Sequence, residues 1–286
     1  MNHVENTIYD MMVYINLSLF EHITLDGLSE RFSYSKYHLH RKFKEVAGVT
    51  LNEYIKKRRI ENSIYYLSAN PASVITEVAS YCGFSSATYS REFRKVFGRT
   101  PIEWRNIYKK DTGELKNSNI CKNYEQFIDY NNDGIPNEIK NICVAEINPK
   151  RISAKTYYGN YYDEKTSAIW KQIKESKTSN GQYVLISMNS PAVTDRNTCL
   201  YMLGFESSYN ILELSPIVID GGDYIIIDYH GSREKLREIY TWIIKFYLPK
   251  KGLKYDYRLQ FHEYIDVPDL GKSIVSCKIY IPVCYT

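Results

Sequence analysis

Cys82-Gly83-Phe84-Ser85-Ser86-Ala87-Thr88-Tyr89-Ser90-Arg91-Glu92-Phe93-Arg94-Lys95-Val96-Phe97-Gly98-Arg99-Thr100-Pro101 decides the fold of the N-terminal third, because its pattern already stands fifty positions earlier. There, Ser33-Tyr34-Ser35, Leu39-His40-Arg41-Lys42-Phe43 and Gly48-Val49-Thr50-Leu51-Asn52-Glu53-Tyr54 match Gly83-Phe84-Ser85, Tyr89-Ser90-Arg91-Glu92-Phe93 and Gly98-Arg99-Thr100-Pro101-Ile102-Glu103-Trp104. A repeat of this length is one supersecondary unit used twice. In each copy a short turn separates two short amphipathic helices. Two helices joined this way form a helix-turn-helix, whose second helix can enter a DNA major groove.

The faces of those second helices follow from spacing. Leu39, Phe43 and Val46 fall at i, i+4 and i+7 and turn to the core, leaving Tyr37, His40, Arg41 and Lys44 outside. In the second copy Tyr89, Phe93 and Val96 point inward, while Ala87, Ser90, Arg91 and Arg94 point out. Donors and cations over an apolar seam suit a recognition helix. An ordinary solvated face would look alike, but its duplication at one offset argues against that. Ser35 is the expected N-cap of the first recognition helix. Thr50-Leu51-Asn52-Glu53 and Thr100-Pro101-Ile102-Glu103 each spell a capping box. Further helices are expected over Asn6–Phe20, Leu25–Phe32 and Leu51–Ala69; the last, ended by Asn70-Pro71, is a spacer between the two units.

Ser29-Glu30-Arg31-Phe32-Ser33-Tyr34-Ser35-Lys36-Tyr37-His38-Leu39-His40-Arg41-Lys42-Phe43-Lys44 and the second-copy motif resemble the AraC/XylS-type DNA-binding domain over about residues 6–108. The resemblance implies a seven-helix domain binding an asymmetric site as a monomer. It implies base contacts from Tyr37, His40 and Arg41, then from Ser86, Ala87, Ser90 and Arg91. The family's second motif usually carries one more residue between its Gly-Phe and Ser-Arg pairs, whereas here both copies share one spacing.

Charge agrees with this division. Residues 1–110 carry 16 Lys and Arg against 11 Asp and Glu, whereas residues 111–286 carry 21 against 22, so the excess of +5 lies with the repeat. A duplex is the expected partner of that part. Met1-Asn2-His3-Val4-Glu5-Asn6 shows no basic run before an apolar stretch, and no apolar run approaches a membrane span, so the expectation is a cytoplasmic protein without membrane contact. The six cysteines form no Cys-x-x-Cys pair and read as reduced thiols.

Residues 109–124 are polar and aperiodic, and read as a linker between a DNA-binding domain at 1–108 and a second domain at 125–286. A fainter repeat follows at an offset of seventy-two: Ile152, Ala154, Tyr157-Tyr158-Gly159 and Trp170 match Tyr224, Ile226, Tyr229-His230-Gly231 and Trp242. Each copy reads as strand, glycine turn and helix, with more strands at Tyr183–Met188, Cys199–Glu206, Leu259–Ile265 and Ile274–Val283. The fold class is therefore an all-α domain with two helix-turn-helix motifs, followed by an α+β domain. The latter is expected as one antiparallel sheet with helices on one side and a cleft on the other. Together with Ile147-Asn148-Pro149-Lys150-Arg151 and His262-Glu263-Tyr264, the pattern resembles the GyrI-like effector-binding domain over about 139–286. The resemblance implies a Rob-like regulator sensing a small molecule.

Tyrosine is abundant, 28 in all with 18 beyond Lys109, and suits flat or cationic ligands as readily as it suits strands. Tyr157, Tyr201, Tyr229 and Trp242 are the candidate cleft aromatics. Glu263 shares strand parity with Leu259, Phe261 and Ile265, so it is expected on the buried face, either paired with Arg151 or Arg258 or set to meet a cationic aromatic ligand. The resemblance implies the second role.

Two metal motifs fail. Asp129-Tyr130-Asn131-Asn132-Asp133-Gly134 opens like a calcium loop, yet Lys140 stands where a bidentate Glu is needed. His38 and His40, two apart on a helix, point to different faces. No metal, cofactor or catalytic residue is expected. The leading expectation is a transcription activator acting on double-stranded DNA with RNA polymerase, its second domain sensing a small molecule. The alternatives are a protein partner for that domain, or a GyrI-like-fold hydrolase.

Overall fold

The computed structural model describes residues 3–69, 73–109, 134–161, 163–177, 180–190, 193–269 and 273–285. The chain divides into two units, Met1–Asn131 and Asn132–Thr286. Residues 110–124 of the expected linker, and the start of the calcium-like loop, lie outside the described residues.

Among the described residues the first unit has seven helices: α1 His3–Leu17, α2 Leu25–Arg31, α3 Lys36–Ala47, α4 Leu51–Ala69, α5 Ile75–Tyr81, α6 Ser86–Phe97 and α7 Pro101–Lys109. α1 begins and ends three residues before the expected span, with Ile8, Met11, Met12 and Ile15 fully buried. Both capping boxes form. The Thr50 amide donates to Glu53 Oε2 at 2.8 Å, and the Thr100 amide donates to Glu103 Oε2 at 2.7 Å. In return the Glu53 and Glu103 amides donate to the two threonine hydroxyls.

α4 packs against both α3 and α6, as its spacer role requires. Its polar groups tie the unit together. Arg59 donates to the carbonyls of Leu19 (2.8 Å) and Glu21 (2.9 Å), the Tyr89 hydroxyl donates to Ser63 Oγ at 2.8 Å, and Arg58 pairs with the buried Glu61. Phe93, Phe97 and Trp104 form an aromatic cluster between α6 and α7 with centroids 4.5–5.9 Å apart. Burial of each ring stabilises the unit by about 1.5–3 kcal/mol.

The second unit is built on one antiparallel sheet. Its strands are β1 Ile139–Ile147, β2 Lys150–Gly159, β3 Tyr183–Ser187, β4 Cys199–Glu206, β5 Ser215–Ile219, β6 Gly222–Ser232, β7 Leu253–Tyr255, β8 Gln260–Tyr264 and β9 Ile274–Tyr285. Their order is β1-β6-β9-β8-β3-β4-β2-β5, with β7 on β9. Helix α8, Glu164–Ser176, follows β2. Helix α9, Leu236–Trp242, follows β6 and continues through a π-helical turn at Ile243–Tyr247. The seventy-two-residue repeat is thus β2-α8-β3-β4 and β6-α9-β8-β9, and the copies meet where β3 pairs with β8. β1, β5 and β7 were not expected. β1 and β5 are edge strands with broken alternation, β5 carries Pro216, and β7 spans three residues.

Candidate functional site

In the helical unit α3 and α6 are superposable in design. Each has 12 residues, an N-cap serine and a C-terminal glycine in the left-handed region: Ser35 with Gly48 (φ 75°), and Ser85 with Gly98 (φ 72°). Both serine hydroxyls accept the amide three residues on at 3.3 Å. The turns preceding them bend at Ser33 (φ 56°) and Gly83 (φ 76°), the left-handed conformation that favours glycine. α6 therefore starts at Ser86, so the shorter spacing gives the second motif the geometry of the first.

Leu39, Phe43, Tyr89 and Phe93 are fully buried. Tyr37 is 79% exposed, and His40, Arg41, Lys44, Ala87, Arg91 and Arg94 are exposed as well. Ser86 and Ser90 are half-buried. The guanidinium of Arg91 rests on Glu92 Oε1 at 3.2 Å, an exposed contact that Glu92 shares with Lys95 at 3.0 Å. Contacts of this kind contribute little and yield readily to a phosphate or a base edge.

In the sheet unit a cavity of about 80 Å³ opens between the sheet and the helices, room for roughly five to eight waters. Trp170 of α8 and Leu236, Arg237 and Tyr240 of α9 form one wall. Leu185 and Ser187 of β3 with His262 and Tyr264 of β8 form the other, and Tyr161 and Arg233 complete the lining with a few smaller residues. His262 bridges two phenols: Nε2 lies 2.8 Å from the Tyr240 hydroxyl and Nδ1 lies 3.2 Å from that of Tyr264. Burial pulls the imidazole pKa down to about 4, so the ring is neutral and one nitrogen donates while the other accepts. The Tyr161 hydroxyl lies 2.6 Å from Ser187 Oγ, and burial pushes its pKa well up.

Two family models match the chain: a helix-turn-helix domain over residues 28–107 and a GyrI-like small molecule binding domain over residues 141–283. The chain belongs to the AraC/XylS-type regulators that carry a GyrI-like small molecule binding domain. It is a DNA-binding regulator with a C-terminal ligand-binding domain.

Curated relatives match over about a third of this chain. The probable transcription factor PqrA of Proteus vulgaris is 38% identical over 35% of this chain and 84% of its own. The right origin-binding protein of Escherichia coli K12 is 32% identical over 34% of each chain. The bifunctional transcriptional activator/DNA repair enzyme AdaA of Bacillus subtilis is 36% identical over 34% of this chain and 46% of its own. This chain thus spans about a third of the right origin-binding protein. Among the described residues no helix is long and apolar enough to cross a membrane, and no three His, Cys, Asp or Glu side chains gather to hold a metal.

This cavity differs from the cleft expected on the bare side of the sheet, and none of the expected ligand residues lines it. Tyr157 donates to Asp163 at 2.6 Å, Tyr201 donates to the Asn160 carbonyl at 2.8 Å, and Tyr229 donates to the Ser232 carbonyl at 2.5 Å. Trp242 packs on Tyr247 with centroids 5.4 Å apart. These four side chains are buried within the fold.

Glu263 is buried too, but on the face of β8 opposite His262. Its carboxylate receives the Lys150 ammonium at 2.7 Å and the Tyr280 hydroxyl at 2.6 Å. Neither expected arginine pairs with it: Arg151 bonds Asn210, and Arg258 bonds Asp256 and three backbone carbonyls. Lys150 also reaches Glu206 at 3.1 Å. Burial draws the ammonium pKa down, and the two carboxylates more than offset this, leaving it raised. The cavity residues that sequence reasoning missed did carry one signal. Arg233 and Arg237 stand four apart beside Leu236 and Tyr240, two cations running into an apolar helical stripe.

Proposed function

We propose that residues 1–108 read two adjacent major-groove segments through α3 and α6, and that residues 125–286 bind the effector in the cavity beneath α8 and α9. In α3 the DNA contacts are Tyr37, His40, Arg41 and Lys44. In α6 they are Ser86, Ala87, Ser90, Arg91 and Arg94. The observation that carries this reading is the identical capping of two helices on one spacer, with Arg41 and Arg91, and Lys44 and Arg94, exposed at matching positions. Arg41 and Arg91 stand at equivalent positions, where a guanidinium can bond guanine bidentately, and Lys44 and Arg94 lie one turn on, suited to phosphate. The effector is a small organic molecule held by aromatic walls.

The protein works in the cytoplasm where its DNA lies, and acts through RNA polymerase without chemistry of its own. PqrA, named as a probable transcription factor, supports the last point, whereas AdaA is named as both activator and repair enzyme. A hydrolase would need Glu263 as a base in a cavity; here it is engaged by Lys150 and Tyr280. Footprinting of the full chain on a selected operator, with Arg41→Ala and Arg91→Ala, tests the assignment. Each variant loses protection on its own segment. Loss of both segments together, or of neither, counts against it.

A further inference from the structure

Besides the spacer helix, a second connection joins the two helix-turn-helix motifs, and Arg59 of α4 is its centre. On one side its Nε donates to the Leu19 carbonyl at 2.8 Å and its Nη2 to the Glu21 carbonyl at 2.9 Å, both in the segment leading from α1 into α2. That segment is itself a closed turn, with the Glu21 amide donating to the Ser18 carbonyl at 2.9 Å. On the other side the Arg59 guanidinium lies against Gly83, in the turn before α6, where a Cβ would stand 2.7 Å from Nη1. Aromatic rings repeat the connection. Phe20 of the same segment meets Tyr81, the last residue of α5, with centroids 4.7 Å apart, and Tyr81 stacks on Tyr66 of α4 at 5.3 Å.

The repeat marks the same place by breaking its symmetry there. α3 and α6 share length and caps, yet the left-handed turn residue is Ser33 in the first copy and Gly83 in the second. Ser33 shows that this turn can carry a side chain; at Gly83 the guanidinium occupies the space. A helix of 19 residues joins the motifs along one line, and long helices curve. Charge-assisted hydrogen bonds and ring contacts at a second point remove that freedom. On a duplex the freedom matters, because moving one segment by a single base pair shifts it by about 3.4 Å and turns it by about 35°.

We propose that Arg59, with the Phe20–Tyr81–Tyr66 ring contacts, is a brace that fixes the separation and angle at which α3 and α6 meet DNA, and so selects one spacing between the two segments. Arg59 is thus a positioning residue for DNA reading. The inference rests on the reading that both helices enter one duplex and adds what sets the spacing.

The test is competition binding of the full chain to its selected operator and to two altered copies, with one base pair inserted or deleted between the segments. Wild type is expected to bind the altered copies about tenfold or more weakly than the operator. Arg59→Ala should bind the operator about three- to tenfold more weakly, and its discrimination between spacings should fall below about threefold. A merely structural loss lowers the folded fraction and scales all three affinities by one factor, so the ratio between spacings is the readout. Arg59→Lys, whose ammonium can hold one carbonyl, should recover part of that ratio. Tyr81→Leu, at a residue 41% exposed, removes the ring contacts with Arg59 in place and should lower the ratio as well. Unchanged discrimination in Arg59→Ala overturns the proposal; should that variant not fold, unchanged discrimination in Tyr81→Leu does so. Equal binding of all three duplexes by wild type, with Arg41→Ala and Arg91→Ala each still weakening binding, overturns the brace and leaves the two-segment reading standing. If either of those two arginine variants binds the operator as wild type does, the reading and the brace fall together.

Discussion

Replacing Glu263 by Gln separates a structural carboxylate from a ligand-reading one. The side chain is 8% exposed and sits 2.7 Å from Lys150 and 2.6 Å from the Tyr280 hydroxyl. Removing one partner of a fully buried pair costs about 3–5 kcal/mol, mostly from the charge left behind. Two features reduce that here. The Lys150 side chain is 22% exposed, and it keeps Glu206 at 3.1 Å. The glutamine carbonyl can still accept from Tyr280. The expected destabilisation is therefore about 2 kcal/mol, or about 4–8 °C in the melting of a unit of this size. Scanning calorimetry of the full chain should show it in the transition of the sheet unit. Lys150→Met combined with Glu263→Gln should cost less than the two single changes added, because their losses describe one interaction. Unchanged melting together with loss of cationic-ligand binding would refute the structural role.

Other predictions follow from the same contacts. Arg41→Ala or Arg91→Ala should each weaken operator binding by about 1–3 kcal/mol and relax specificity at one segment, measured by competition binding. Lys44→Ala or Arg94→Ala should weaken all sequences alike and flatten the salt dependence. Gly83→Ala places a Cβ 2.7 Å from Arg59 Nη1 in a left-handed turn, so the helical unit should lose about 1–2 kcal/mol in chemical denaturation. His262 has its folded pKa depressed to about 4, below its ordinary 6.5. Its contribution to stability is thus present above about pH 6.5 and is lost as pH falls toward 4, a total near 3 kcal/mol. His262→Asn should flatten that part of the stability–pH curve, and an unchanged curve would show that the ring is solvated.

The helical unit was legible because local rules and long-range packing coincide there. Ser35, Thr50, Thr100 and the glycines after α3 and α6 mark ends that the backbone must satisfy, and the apolar residues at i and i+4 are buried. Val46 and Val96 at i+7 are half-buried, whereas Ala47 and Phe97, one position on, take the core. The sheet unit was legible only in part. β4 matched its expected span to the residue, but β8 is buried on both faces, so alternation could not tell which side a residue meets. Glu263 and His262 are neighbours in sequence with opposite surroundings, and Ile265, placed by parity with the core, is 90% exposed because the strand ends at Tyr264. The tyrosines chosen from the repeat proved to anchor loops and helix starts through their hydroxyls. Of the rings at the cavity, Trp170 belongs to the repeat, whereas Tyr161, Tyr240 and Tyr264 stand at non-repeated positions. Which carboxylate met which cation depended on register between distant strands, information that one strand does not contain.

The central claim is that one chain uses two equivalent recognition helices on one duplex. Its most direct measurement is selection of DNA from a random pool by the full chain, followed by native mass measurement of the selected complex. The account predicts an asymmetric site with two informative segments about one helical turn (~34 Å) apart, bound by a single chain. A palindromic site carrying two chains, or a site with one informative segment, would contradict it.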